Sequence, residues 1–119
     1  MPSPSQRKGT AIEDRACAYL QHHGLRICQR NYVRKTGEID IIAQEGDMLV
    51  FTEVRFRAQQ QFGKAFETVN AAKQRRIINT AKLYLQQHRQ AQQFACRFDI
   101  ISASLYNDQL TIEWLKNAF

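Results

Sequence analysis

Acidic residues alternate with apolar residues in the segment 37–57, GEIDIIAQEGDMLVFTEVRFR. This alternation around a central glycine predicts a β-hairpin whose strands bring Glu38, Asp40 and Glu53 close together. Like charges that face one another across a sheet repel, so the arrangement is costly unless a cation lies between them. Carboxylate oxygens suit Mg²⁺ or Mn²⁺, which take one or two protein carboxylates together with water and substrate phosphate oxygens. The hairpin therefore indicates a place for a divalent cation that acts on phosphate groups.

Arg55 follows Glu53 by two positions, so both side chains project from the same face of the strand. A guanidinium group there could hold a phosphate with two parallel hydrogen bonds. The alternative is a surface sheet in which Arg55 and Arg57 pair with the carboxylates and contribute only modest stability. The residue pattern alone is compatible with either interpretation.

The turn of the hairpin decides which carboxylates face one another, because a slip of one residue moves every side chain to the other face. A loop of residues 45–46 would place Glu38 opposite Glu53, whereas a loop of residues 46–47 would place Asp40 opposite Glu53. A three-residue loop would separate the acids, but it would also divide the apolar positions between the two faces. Burial therefore favours a two-residue loop, which gathers the carboxylates. In either register, strict alternation predicts that Ile39 and Ile41 share one face.

The first helix is predicted to supply a further carboxylate. Apolar residues recur at helical spacing from Thr10, and Gly24 is typical of a helix end. At about 100° per residue, Glu13 borders the apolar stripe while Asp14 points away from it. Only Glu13 is therefore expected to face the rest of the fold.

Other segments alternate between strand and helix patterns. We expect a strand over residues 25–32, a long helix from about residue 69 to residue 88, and two strands over residues 97–104 and 109–116. The long helix carries several lysines and arginines, which are typical either of nucleic-acid contacts or of a solvated surface. The apolar C-terminal segment WLKNAF is predicted to pack on the core.

Length and composition indicate an ordinary globular protein. The chain has 119 residues, of which 44% are hydrophobic and 24% charged, which predicts one domain with its own core. Residues 1–8 have the composition of a flexible terminus, so the domain is expected to span residues 9–119.

The net charge and the cysteines indicate which partners and which cell compartment to expect. Lysines and arginines outnumber acids by 17 to 11, and the resulting charge of +6 favours a polyanion such as nucleic acid. The sequence has neither an apolar run long enough to span a membrane nor an apolar leader, so we expect a cytoplasmic protein without a membrane partner. The three scattered cysteines lack zinc-site spacing and are interpreted as reduced, small hydrophobic residues.

These motifs, taken in order, resemble one known family. Glu13, GEIDIIA with Asp40, VFTEVRFR with Glu53 and Arg55, a basic helix and RFDII are similar to the YraN (UPF0102) family of small bacterial proteins. That family resembles archaeal Holliday-junction resolvases of the PD-(D/E)XK restriction-endonuclease-like superfamily. The resemblance covers about residues 9–102.

The resemblance implies an α/β fold with a restriction-endonuclease-like core, in which helices flank a mixed central β-sheet. It implies that Asp40 and Glu53 are metal ligands for Mg²⁺ or Mn²⁺ and that Glu13 is the catalytic acid of the first helix. Glu38 belongs to the GEID signature and is carried over only as an accessory ligand or hairpin partner. Resolvase relatives also imply a homodimer that presents two sites.

Arg55 is the departure from the motif, which expects lysine at this position. A lysine there can orient or deprotonate the attacking water, whereas arginine stays protonated and is a poor base. Arg55 is therefore expected to position charge, and Lys64 or Lys73 could reach the site in place of the motif lysine. The predicted nucleic-acid contacts are Arg57, Lys64, Lys73 and Arg76.

Three functions follow from this pattern. The first is a Mg²⁺-dependent endodeoxyribonuclease that hydrolyses phosphodiesters in branched, Holliday-junction-like DNA through Glu13, Asp40, Glu53 and Arg55. The second is a nucleic-acid-binding module on the same fold that has lost catalysis because of Arg55. The third is a structural or interaction protein that binds neither DNA nor metal.

Overall fold

The computed structural model describes residues 4–57 and 69–119, without the side chains of residues 4–9, Arg57 and Tyr106. Within these ranges the chain forms two α-helices, five β-strands and a short 3₁₀-helix at residues Arg89–Gln93. The elements are α1 (Pro4–His22), β1 (Arg26–Arg34), β2 (Gly37–Glu45), β3 (Met48–Arg57), α2 (Ala71–Gln87), β4 (Ala95–Tyr106) and β5 (Gln109–Leu115).

The strands form one mixed sheet in the order β1-β2-β3-β4-β5. Strands β3 and β4 are parallel, and the other neighbouring pairs are antiparallel. A parallel pair needs a crossover connection, and α2 lies in the chain between β3 and β4. The predicted α/β fold class, a mixed sheet flanked by helices, is confirmed.

The two helices cover opposite faces of the sheet. On one face, Ala16 and Leu20 of α1 pack with Ile41 and Val50 in a buried cluster. On the other face, α2 contributes to a second buried cluster whose strand residues include Phe51. Because Val50 and Phe51 are consecutive in β3, their side chains point to opposite faces. The sheet is therefore buried on both sides, as is typical of sheets that contain parallel strands.

The hairpin has the second of the two predicted registers. Glu45 pairs with Met48, so residues 46–47 form the loop, and Gly46 adopts a positive φ of 57° there. The pairing continues from this turn to Ile41 and Thr52. The pairing ends there, and the next residue on each strand, Asp40 on β2 and Glu53 on β3, lines the same cavity.

The prediction that Ile39 and Ile41 share one face is wrong. Ile41 packs in the α1-side cluster, whereas Ile39 packs with Tyr32 in the α2-side cluster. Asn31 of β1 adopts a left-handed φ of 52° next to the paired residues Tyr32 and Ile39. This local break in the extended backbone turns both side chains toward α2, so the alternation fails beside Asp40.

Element boundaries agree with the remaining sequence predictions except at the N-terminus. Helix α1 begins at Pro4, earlier than the expected Thr10, and the prediction that residues 1–8 are flexible ahead of a domain over 9–119 stays a prediction. The C-terminal segment packs on the core as expected, because Phe119 stacks on Phe98 with 5.2 Å between ring centroids. Among the described residues, no helix combines the length and apolar character that crossing a membrane requires.

Candidate active site

A cavity of about 180 Å³ lies between the hairpin and the first turns of α2. Its lining residues are Gly37, Glu38, Asp40, Glu53, Lys73, Arg76 and Ile77. The structure thus gathers the three carboxylates that the hairpin pattern singled out, and it adds two cations from α2. The site combines carboxylates with positively charged side chains.

Asp40 lies where β2 leaves its ladder with β3. The backbone N–H of Val54 donates a hydrogen bond of 2.8 Å to Oδ2 of Asp40, so the carboxylate takes the place of a strand partner. Burial raises the pKa of Asp40 to about 8, helped by the negative charge of Glu53 and more weakly by that of Glu13 and Glu38. The hydrogen bond from Val54 opposes this rise only in part. The single hydrogen bond from Val54 therefore does not offset the cost of burying a negative charge on Asp40.

The carboxylate of Glu53, unlike that of Asp40, has cationic side chains close to it. Glu53 is buried, with 6% of its side chain exposed, and Nζ of Lys73 lies 2.6 Å from its Oε1 atom. Nε of Arg55 lies 3.8 Å from the same oxygen. The lysine contact has hydrogen-bond length and the arginine contact exceeds it. Lys73 is therefore the closer of these two cations to Glu53.

Lys73 reaches the hairpin because the start of α2 is fixed by several contacts. Asn70 caps the helix, and its Oδ1 accepts the backbone N–H of Lys73 at 2.8 Å. Thr80 on the same helix hydrogen-bonds Thr36 at 2.6 Å. Gly37 lies so close to the helix that an added Cβ would be 3.3 Å from Oγ1 of Thr80. These contacts orient α2 so that Lys73 projects into the cavity.

Glu13 lies on α1, the helix that covers the other face of the sheet. Its carboxylate is 3.6 Å from Arg30, which also forms a 2.7 Å ion pair with Asp14. Glu13 is more buried than Asp14, with 19% against 59% of the side chain exposed, which confirms that Glu13 faces the fold. Its charge contributes to the raised pKa of Asp40. The charge of Glu13 thus acts on Asp40 from the other layer, and Arg30 lies near Glu13 while it pairs more closely with Asp14.

The donor set fits a magnesium ion that keeps part of its water shell. Asp40 and Glu53 both line the cavity, and two carboxylates are what Mg²⁺ commonly takes from a protein. The described residues contain no group of three or more His, Cys, Asp and Glu side chains placed to hold a metal. A pair of carboxylates would leave the other coordination positions of the ion to water and substrate phosphate. The uncompensated burial of Asp40 favours such a cation.

The other predicted contacts are distributed as follows. Arg76 lines the cavity and is exposed. The side chain of Arg57 and the whole of Lys64 lie outside the described residues, so their assignment stays a prediction. Two residues were missed by the sequence reasoning: Gly37, where α2 approaches the sheet closely, and Arg30, which lies 3.6 Å from Glu13. A glycine between two polar residues at the start of a strand was the available signal for Gly37.

Asp99 of the RFDII motif lies in a different environment. It is fully buried, and its oxygens accept hydrogen bonds from Arg97 Nε at 3.1 Å, Trp114 Nε1 at 2.9 Å and the backbone N–H of Asn117 at 3.0 Å. Arg97 also contacts Glu45 at 2.8 Å. This network joins β4, β5 and the hairpin turn, so the motif aspartate is a structural group.

Comparison with known proteins gives consistent matches over nearly the whole chain. The model of the family described as "Uncharacterised protein family UPF0102" matches residues 12–103. A UPF0102 protein from Chromohalobacter salexigens is 46% identical over 115 residues, covering 97% of this chain and 92% of that protein. UPF0102 proteins from Nitrosococcus oceani and Coxiella burnetii are 43% and 45% identical over 118 residues, covering 99% of this chain and 95% and 96% of theirs.

Proposed function

The chain belongs to the UPF0102 family, and we propose that it is a metal-dependent nuclease that hydrolyses phosphodiester bonds in DNA. The observation that carries this proposal is the convergence of Asp40 and Glu53 in one cavity with a lysine and an arginine from α2. Carboxylates that must share a small space with cations are typical of sites that process phosphate esters. We propose branched DNA as the substrate class because the sequence motifs resemble those of junction resolvases.

Each group has a defined part in the proposed reaction. Asp40 and Glu53 would hold Mg²⁺ or Mn²⁺, which supplies charge neutralisation at phosphorus and an activated water. Arg55, whose Nε lies 3.8 Å from Glu53, would help hold the scissile phosphate. Hydrolysis forms a bond between the water oxygen and phosphorus and breaks the bond to the departing sugar oxygen, which takes up a proton. Glu13 would assist from α1 through water.

The DNA backbone would approach the exposed side of the cavity. Arg76 is exposed at its rim, and the chain carries a net charge of +6. Arg57 and Lys64 are further DNA contacts that the sequence predicts. Phosphate contacts of this kind position a duplex without reading its sequence. A homodimer with two sites and a cytoplasmic location complete the proposal.

The test is cleavage of labelled duplex, single-stranded and four-way-junction DNA with Mg²⁺ or Mn²⁺. The natural chain is compared with Asp40→Asn and Glu53→Gln, and Asp47→Asn in the hairpin turn serves as the matched control. We expect cleavage and metal binding in the natural chain and in the control, and loss of both in the two site variants. Unchanged metal affinity in both site variants would contradict the ligand assignment.

A second candidate is a nucleic-acid-binding module without catalysis. It is favoured by one observation, the arginine at position 55, which stays protonated and cannot act as a base. This candidate predicts salt-sensitive DNA binding that survives EDTA, with no products from any substrate. If Arg55→Lys then produced cleavage, the module would be one in which the site persists but lacks a competent group at that position.

A further inference from the structure

Glu53 lies between two cations from different elements, one on its own strand and one on a helix. Lys73 Nζ is 2.6 Å from Glu53 Oε1, whereas Arg55 Nε is 3.8 Å from the same atom. Lys73 also lines the cavity with Asp40, and 29% of its side chain is exposed. Its ammonium group therefore contacts Glu53, and its partly exposed side chain lines the same cavity as Asp40.

We propose that Lys73, delivered from α2, is the lysine that positions the attacking water and the scissile phosphate in this site. The inference rests on the proposed nuclease function and adds a residue and a role to it. A lysine ammonium has several N–H donors, so one can bind Glu53 while the others hold a water and a phosphate oxygen. Arg55 carries a broader planar group and lies farther from Glu53, which suits it to holding the phosphate.

The anchoring of α2 explains how a helical lysine can serve a site built on a hairpin. The backbone N–H of Lys73 is held by the Asn70 cap, and Thr80 forms a hydrogen bond with Thr36 in the turn between β1 and β2. A group that orients reactants must itself be held firmly, because small displacements cost large factors in rate. Lys73 meets this condition at its backbone through the cap and at its side chain through Glu53.

The same geometry has a consequence that can be measured without DNA. Lys73 places a positive charge beside Glu53, where a divalent cation would also have to lie. Removing this charge should make metal binding tighter, because like charges repel in a partly buried site. It should make cleavage slower at the same time. A residue with only a structural role would weaken both properties together.

The experiment uses the full chain carrying Lys73→Met, with Lys73→Gln as a second variant and Lys82→Met as the matched control. Lys82 is exposed on the same helix. Mn²⁺ affinity is measured by calorimetry without DNA, and cleavage of junction DNA is measured at saturating Mn²⁺. We expect Mn²⁺ to bind roughly 3- to 10-fold more tightly in both Lys73 variants, and kcat to fall by about 100-fold with little change in KM. Lys82→Met should leave metal affinity and kcat unchanged.

A compensating substitution tests the assignment of the lysine. In Lys73→Met combined with Arg55→Lys, an ammonium group returns to the neighbourhood of Glu53 from the strand. We expect kcat to recover by about tenfold or more over the single variant. Cleavage by Lys73→Met within about twofold of the natural chain would overturn the assignment of Lys73, and so would a large loss of cleavage that the second substitution does not restore.

The outcomes separate this inference from the proposed function. If the natural chain cleaves DNA and both Lys73 variants cleave equally well, the role of Lys73 is wrong while the nuclease assignment stands. If Lys73→Met weakens Mn²⁺ binding and lowers thermal stability in parallel, Lys73 is a structural partner of Glu53 and the inference is again wrong. If the natural chain neither binds Mn²⁺ nor cleaves any DNA, the proposed function fails and this inference fails with it.

Discussion

Asp40 and Glu53 are two partly or fully buried carboxylates whose negative charges are balanced to different degrees by nearby groups. This difference affects the free energy of unfolding. Glu53 has a lysine at 2.6 Å, whereas the pKa of Asp40 is raised to about 8 by burial and by the charge of Glu53. An unfolded aspartate has a pKa near 3.9, so the folded chain retains this proton over a wide pH range. Asp40 therefore makes stability depend on pH in a direction opposite to that of an ordinary ion-paired acid.

We predict that Asp40 lowers the stability of the metal-free protein as the pH rises. Between about pH 4 and pH 8 the folded state binds more protons than the unfolded state, so the free energy of unfolding falls with a slope of up to about 1.4 kcal/mol per pH unit. The contribution of protonated Asp40 to the free energy of unfolding is fully present below about pH 4 and is lost as the pH rises through the raised pKa. Urea unfolding at several pH values, for the natural chain and Asp40→Asn, measures this slope.

The variant should isolate the contribution of this one group. An asparagine oxygen can still accept the hydrogen bond from Val54, so Asp40→Asn should be more stable than the natural chain at pH 8 and should lack the fall. Saturating Mg²⁺ should raise the free energy of unfolding of the natural chain at pH 8 and should not raise that of Asp40→Asn. Equal pH profiles for the natural chain and Asp40→Asn would show that Asp40 ionises normally.

A second residue-scale prediction concerns Asp99, the buried acid of the RFDII motif. It accepts hydrogen bonds from Arg97, Trp114 and Asn117 and is fully buried. Asp99→Ala should lower the free energy of unfolding by about 3–5 kcal/mol, because it leaves the buried Arg97 guanidinium with Glu45 as its remaining carboxylate and removes the acceptor of the Trp114 and Asn117 N–H groups. Chemical denaturation measures this loss. The exposed Glu113→Ala on β5 is the control and should change stability by less than about 0.5 kcal/mol.

The element that most affects the site is α2, because its contact with the hairpin determines where Lys73 lies. Gly37 has a φ of +153°, and a Cβ there would be 3.3 Å from the Cβ of Arg76 and from Oγ1 of Thr80. Lys73 is one helical turn before Arg76, so a displacement of the helix at this contact moves the lysine as well. The glycine therefore links the start of β2 to the geometry of the cavity.

We predict that Gly37→Ala lowers the free energy of unfolding by about 1–3 kcal/mol and reduces the rate of cleavage at saturating metal. Gly24→Ala is the matched control, because Gly24 also has a positive φ, of +93°, but an added Cβ would meet nothing within 4 Å. The control should lose stability through backbone strain and keep its cleavage rate. Thermal unfolding and initial rates on junction DNA separate the two effects, and equal rates for both variants would disprove the link.

The hairpin shows why some elements could be predicted from the sequence and others could not. Its turn and the juxtaposition of Asp40 with Glu53 follow from alternation and from the glycine, which are local properties. The face of Ile39 was predicted wrongly, because a left-handed Asn31 in the neighbouring strand interrupts the alternation there. Nothing in the spacing of apolar residues reports the backbone conformation of a partner strand.

The position of Lys73 illustrates the limit for contacts between elements. The sequence allowed Lys64 or Lys73 to approach the site, but the choice depends on how a helix docks on the sheet. That docking involves residues far apart in the chain, such as Thr36 and Thr80. The network around Asp99 was likewise not predicted, although an acid inside an apolar strand pattern was the available signal.

At the scale of the whole molecule, the helices on the two faces of the sheet contribute different charged groups to the proposed site. Helix α1 carries Glu13, which influences Asp40 through its charge, while α2 carries the cations that line the cavity. The site therefore lies at an edge of the hairpin where both layers contribute. The net charge of +6 adds a field that attracts a polyanion toward the molecule at low ionic strength.

This field leads to a prediction about the salt dependence of DNA binding. Arg76 is exposed and lines the cavity, whereas Arg89 is exposed beyond the other end of α2. If Arg76 neutralises a phosphate, Arg76→Ala should reduce the slope of log affinity against log salt by about 1, because one fewer counterion is released. Arg89→Ala removes the same charge from the molecule and should leave that slope nearly unchanged. Fluorescence anisotropy with labelled duplex DNA and Ca²⁺ in place of Mg²⁺, repeated at several salt concentrations, measures both slopes. Equal changes in the two variants would mean that the molecule attracts DNA through its total charge, without a phosphate contact at the cavity.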